Sequence, residues 1–202
     1  TSVTHPTQGG FENNAQKTIS SIDLGNITAT IKYGEWLKNT EVRAFYYYYN
    51  DHRNMPVLLG QSGLKEGNIR INTFGTHWLH VENTKPGVVD MLFWGALQDG
   101  EWGAVDHTAW AAAIEGGFQF TGVPGKPWIR GGYFVSSGDS DPTDGKHGTF
   151  YQMLPTARKY ALFPLYNLMN NRDLFIQAIV KPKEALTIRA DLHSVSLQNK
   201  ND

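Results

Sequence analysis

A chain of 202 residues with a formal net charge of -1 has enough length for one or two domains and no global charge excess with which to hold nucleic acid. It contains no cysteine, which removes disulfide frameworks, thiolate zinc sites and cysteine nucleophiles together. No apolar run approaches the roughly 20 residues of a membrane helix, and Thr1 to Pro6 has no apolar signal core, so the chain reads as a mature product or a fragment whose start is missing.

Residues 1–16 are polar and turn-prone and read as an N-terminal loop. Strand-like patterning runs over 19–33, with a break near Gly25-Asn26, and after a turn at 35–40 a second strand covers 41–50. In that strand Glu41, Arg43 and Phe45 share one face, and Val42, Ala44, Tyr46 and Tyr48 the other. Residues 51–68 carry Pro56 and three glycines and read as a long loop. A strand over 69–81, a short turn at 83–87 and a strand over 88–98 follow, the last with Val89, Met91, Phe93 and Leu97 opposite Asp90, Trp94, Ala96 and Gln98. An intermediate connection at 99–105 leads to the best-patterned strand, 106–121. There Trp110, Ala112, Ile114, Phe118 and Phe120 form a nearly apolar face against Ala109, Ala111, Ala113, Glu115 and Gln119. The turn at 122–126 opens a strand over 128–137, with Arg130 opposite Ile129, Tyr133 and Val135. A long loop, 138–172, precedes strands over 174–181 and 186–193, which are joined by a turn at 182–184.

These are about eight long strands. The strands of soluble sandwiches run to five or six residues, whereas a tilted membrane strand takes roughly nine to eleven. Every second connection is tight, which is the habit of an up-and-down barrel with brief periplasmic turns and longer external loops. One face of each good strand is apolar and the other small or charged, as lipid outside and water inside require. The pattern predicts an all-β fold, an antiparallel up-and-down transmembrane β-barrel.

The run Gly131 through Asp144-Gly145-Lys146-His147-Gly148-Thr149-Phe150 to Leu154-Pro155-Thr156 resembles the alginate export family of outer-membrane β-barrels. The closing segment Leu186-Thr187-Ile188-Arg189-Ala190-Asp191-Leu192-His193 is similar to that family's final pattern. The resemblance is strong over 105–197, weaker over 41–104 and absent before that. Members have about eighteen strands, so the resemblance implies that these eight are a C-terminal portion of a larger barrel. It also implies residence in the bacterial outer membrane, contact with outer-membrane lipid and a periplasmic export partner. The expected function is passive, selective passage of an anionic polysaccharide or a related small anion, with no catalytic residue.

Three groups of residues carry the candidate chemistry. Arg43, Arg70, Arg130, Lys181 and Arg189, with Asp191 and His193, are assigned to the lumen, where guanidinium groups lower the barrier to a polyanion. The competing reading is that inward cations pair with Asp90, Glu115 and Asp191 and rigidify the wall. Asp139, Asp141 and Asp144, with Lys146 and His147, form a gate in the long loop. The three aspartates either coordinate a hard cation such as calcium or cap their own turns, since their spacing departs by one residue from the calcium loop and lacks its closing Glu. The tryptophans are assigned to the interfacial girdle or the lipid face, with Trp102, in an exposed connection, as a candidate platform for a saccharide. The alternative for the whole chain is a soluble β-rich carbohydrate-binding or hydrolytic domain, and a plugged structural barrel is a third.

Overall fold

The computed structural model describes residues 22–33, 38–58, 64–153 and 167–202. The predicted N-terminal loop, Trp36 and the Leu154-Pro155-Thr156 motif lie outside them.

The described residues form one sheet. β1 (Ile22–Tyr33), β2 (Thr40–Leu58), β3 (Leu64–Asn83), β4 (Gly87–Trp102), β5 (Val105–Phe120), β6 (Trp128–Ser136), β8 (Asn171–Lys183) and β9 (Leu186–Leu197) pair antiparallel in chain order. The two-residue β7 (Lys146–His147) lies off this path and pairs parallel with β5 at Asp106 and His107. Helix is absent among the described residues. The architecture is the predicted all-β up-and-down meander, and the sheet is not closed, because β1 and β9 each have one neighbour among the described residues.

Two connections and one predicted strand break differ from expectation. Residues 51–58 and 64–68 belong to β2 and β3, which continue as a hairpin beyond a register shift between Asp51 and Met55. Pro56 and Gly67 read as loop residues by composition, but the strands still pair there. The intermediate connection shrinks to Gly103-Ala104, with Gly103 at φ 64° donating its N–H to Asn68 O at 2.9 Å. β1 runs unbroken through Gly25 and Asn26, which pair with Tyr48 and Tyr47. The alternation of short and long connections therefore comes down to one long excursion, between β6 and β8.

Register sorts the side chains into rows. One row on the outer face runs Ile31, Val42, Trp78, Phe93, Ile114, Tyr133, Leu174. Ile114 and Leu174 are 57% and 59% exposed, which in water would forfeit burial at both positions. The row toward the long loop, Ile27, Tyr46, Phe74, Leu97, Trp110, is again apolar and aromatic. The next one, Gly25, Tyr48, Asn72, Asp99, Thr108, is polar. From the Trp110 row to the Phe118 row the apolar band spans eight residue steps of β5, about 20 Å of height at 3.3 Å per step and a tilt near 40°, close to the ~25 Å band of outer-membrane barrels.

Candidate functional site: a lumen wall and its inward loop

The long excursion begins where the apolar band ends. β6 is nine residues long, about 20 Å of tilted height, so it crosses the band and no more. At Ser137 the chain leaves the wall, donating Ser137 N–H to Trp110 O at 2.8 Å, and it turns to the inner face. What receives it is a trough of small side chains. Ala96, Ala109, Ala111 and Ala113 present only methyl groups inward, and Phe150 packs over them with Phe134, Phe175 and, partly buried, Phe45, Trp94 and Leu168. Nearer the mouth Tyr151 and Met153 cover Tyr49, Ile69 and Ile71.

Polar contacts fix the loop at the same place. Gln98, buried on the inner face of β4, donates Nε2–H to Tyr151 O and accepts Tyr151 N–H at Oε1, both at 2.8 Å. Its Oε1 also faces His107 Nε2 at 3.3 Å, which requires the proton on that nitrogen. His107 Nδ1 then accepts from His147 Nδ1–H at 2.8 Å. The His147 ring stacks on Trp102, with centroids 4.2 Å apart and planes within 4°. Burial lowers the His147 pKa from its ordinary value, against the opposing pull of Asp139 and Asp202.

The acidic part of the loop spends its oxygens on its own backbone. Asp139 Oδ1 accepts Asp141 N–H at 3.1 Å, Asp141 Oδ1 accepts Thr143 N–H at 3.0 Å and its hydroxyl at 2.6 Å, and Asp144 Oδ1 accepts Lys146 N–H at 2.8 Å. These are successive Asx turns. The Thr143 donors lower the pKa of the Asp141 carboxyl. Thr149 bridges the loop, receiving Asp139 N–H at 3.1 Å and donating to Asp202 Oδ2 at 2.7 Å. Among the described residues no three His, Cys, Asp or Glu gather where they would hold a metal ion.

The predicted lumen cations meet different fates. Arg43 points inward and donates to Glu41 at 3.0 Å and Thr30 at 3.2 Å. Arg130 bridges Asp90 at 3.2 Å and Glu115 at 3.1 Å and lies 4.7 Å over the Trp128 ring, whose Nε1–H also donates to Asp90. Arg189 binds Asp191 at 2.7 Å, and Asp191 accepts from Gln177 at 2.6 Å. His193 meets the fully buried Asp173 at 2.9 Å and stacks on Phe175. Lys181 is exposed at the turn end of β8, where its N–H donates to Gly125 O at 2.8 Å. The inward arginines of the described wall are thus held by carboxylates, Arg130 across strands and Arg43 and Arg189 by the carboxylate two residues away on their own strands.

Arg70 is a correction. It lies in the outer row Asn50, Arg70, Glu101, Asp106 and pairs with Glu101 at 3.2 Å. Above the lipid band the rule of polar inside and apolar outside inverts. Water bathes the outside there, and the loop makes the inside apolar. Trp102 is a second correction, since it ends β4 and its face is covered by His147 rather than free for a sugar. His147, assigned to the loop gate, is correspondingly half-buried against the inner wall. Trp94 and Trp128 also face inward, whereas Trp78 and Trp110 keep the predicted lipid side. Gln98 and His107 escaped sequence reasoning. A Gln and a His on the inner face of adjacent strands, at the level of a Gly-rich loop, were the available signal.

Long antiparallel strands with an apolar, exposed belt on one face and paired charges on the other define the wall of an outer-membrane-type transport β-barrel. A family model described as alginate export matches residues 11–202, and the chain belongs to that family. The match reaches well before the part of the chain where sequence motifs carried the resemblance. No curated protein and no solved structure matches the chain.

Proposed function

We propose that this chain forms the wall and inward loop of a passive channel in the bacterial outer membrane, selective for an anionic polysaccharide or a related small anionic solute. The observation that carries the reading is the division of faces, an apolar belt about 20 Å high outside and a charged, hydrogen-bonded wall inside. Transport needs no covalent step, and selectivity comes from the lumen charges. Within this reading a small anionic solute is favoured over a polymer by one feature, the loop residues Phe150 to Met153 lying against the inner wall.

The charge pairs give the test its sign. Arg130 holds two carboxylates, so Arg130→Ala leaves Asp90 and Glu115 uncompensated and shifts the reversal potential in a planar bilayer toward cation selectivity, whereas Glu115→Gln shifts it toward anions. Uronate oligomers are expected to block the wild-type current, and less so the Arg130→Ala channel. Equal ion permeability in all three proteins, with no blockade by uronate, would refute anion selectivity. A protein that stays monodisperse without detergent would instead restore the soluble carbohydrate-binding alternative.

A further inference from the structure

The charges of the inner wall do not by themselves favour an anion. Arg43, Arg130 and Arg189 face four carboxylates, Glu41, Asp90, Glu115 and Asp191, so three positive charges meet four negative ones and the described arginines do no more than neutralise the wall. Positive charge without a partner lies elsewhere. Each turn at the end opposite the long loop carries lysine: Lys38 ahead of β2, Lys85 between β3 and β4, Lys126 between β5 and β6, and Lys181 and Lys183 at the end of β8. All five are exposed and make no ion pair among the described residues. Lys181 N–H donates to Gly125 O at 2.8 Å, which joins two of these turns and gathers Lys126, Lys181 and Lys183 at one corner. Alternation along β8 puts Lys181 on the face of Phe175 and Gln177, the lumen side. Glu82 and Glu184 are the carboxylates at this end, among the described residues, that no arginine holds. At the loop end the sign reverses, and exposed carboxylates such as Asp141, Asp144 and Asp202 outnumber the exposed cations of the described residues.

We infer that these lysines form a collar that selects anions at the turn-end mouth, so that the carboxylates of a uronate or another small anion are gathered there before they meet the neutralised arginine wall. A mouth lined by one sign of charge raises the local concentration of its counter-ion. Consecutive turns lie two strands, about 10 Å, apart, which is the Debye length at 0.1 M salt, so their fields overlap in dilute salt and separate in concentrated salt. The collar rests on the channel reading, because only a solute that passes along this wall meets it. It also gives Arg130 a different task, which is to keep Asp90 and Glu115 from repelling what the collar admits.

Calorimetric titration of the detergent-folded protein with a linear tetrauronate, and with cellotetraose as its neutral match, tests the collar without requiring conduction. The tetrauronate is expected to bind and cellotetraose not, with an affinity that falls as salt rises from about 0.05 M to about 0.5 M. Replacing Lys85, Lys126, Lys181 and Lys183 together by Gln removes four exposed pairs at about 1.4- to 5-fold each, so the affinity is expected to fall roughly tenfold or more. All four side chains are exposed, and the quadruple variant is expected to fold as the wild type does. Lys181→Glu at the collar and Lys200→Glu at the loop end make the same change in net charge, and only the first is expected to weaken binding. No binding of the tetrauronate, equal binding of both tetrasaccharides, an unaltered affinity in the quadruple variant, or equal losses in the two reversals would each overturn the collar. In planar bilayers the quadruple variant is expected to lose its preference for anions. Anion-selective current that persists in it would remove the collar and leave the channel, whereas collar-dependent binding with no current in any of the proteins would do the reverse.

Discussion

Ile114→Arg separates a lipid-facing wall from a water-facing one by the sign of its effect. Ile114 is 57% exposed in the middle of β5, in the third of the five outer rows between Trp110 and Phe118. In water, replacing an exposed isoleucine by arginine is close to neutral, within about 0.5 kcal/mol. At the midplane of a bilayer the same change costs about 2–4 kcal/mol, roughly a 30- to 900-fold loss in the folding equilibrium. Thr108 is the internal control, on the same face of the same strand but one row beyond Trp110, where outer neighbours are polar. Thr108→Arg is expected to cost about 0–1 kcal/mol. The assay is reversible guanidinium unfolding from lipid vesicles, followed by tryptophan fluorescence, with the midpoint and slope compared among the three proteins. Equal stability of Ile114→Arg and wild type, or equal losses in the two variants, would refute the assignment of this face to lipid.

Four further outcomes follow from particular contacts. Gln98→Ala removes both hydrogen bonds to the Tyr151 backbone and is expected to loosen the loop by about 1–3 kcal/mol, seen as faster amide exchange over residues 148–153 with the strands unchanged. His147 is held neutral by burial, so its folded pKa lies below the unfolded value of 6.5. The loop contact is therefore fully present above that value and is lost as pH falls below it, which noise analysis of single-channel currents should record as more frequent loop-dependent fluctuation in acid, abolished in His147→Ala. Gly117→Ala places a Cβ 2.5 Å from Asp90 Oδ2 and 2.7 Å from Arg130 Cγ and is expected to cost about 1–3 kcal/mol in the same unfolding assay. Its neighbour Gly116, on the outer face with the nearest atom at 3.9 Å, should accept alanine without loss, and equal effects at the two positions would contradict the facing of β5.

The wall was legible because strand geometry is local. Successive side chains point to opposite faces, so the apolar set of β5, the Val89-to-Leu97 set of β4 and the Ile129-to-Val135 set of β6 name the lipid side without any knowledge of their neighbours. Assigning every charge to the lumen misplaced Arg70, because the medium on each face changes above the band while the alternation does not. Loop composition was a weaker guide: Pro56 and Gly67 sit in paired strands, and the aspartates of 139–144 satisfy backbone donors two residues along.

From its sequence alone this chain determines an all-β, two-faced wall and its family, since both depend on residue order over short distances. Only the tertiary structure decides that the described part of the long loop folds inward and that the lumen arginines of the described wall are already paired. Those facts rest on Gln98 meeting Tyr151, His107 meeting His147 and Arg130 meeting Asp90, partners 40 or more residues apart whose approach is set by sheet register and by the room that four alanines leave.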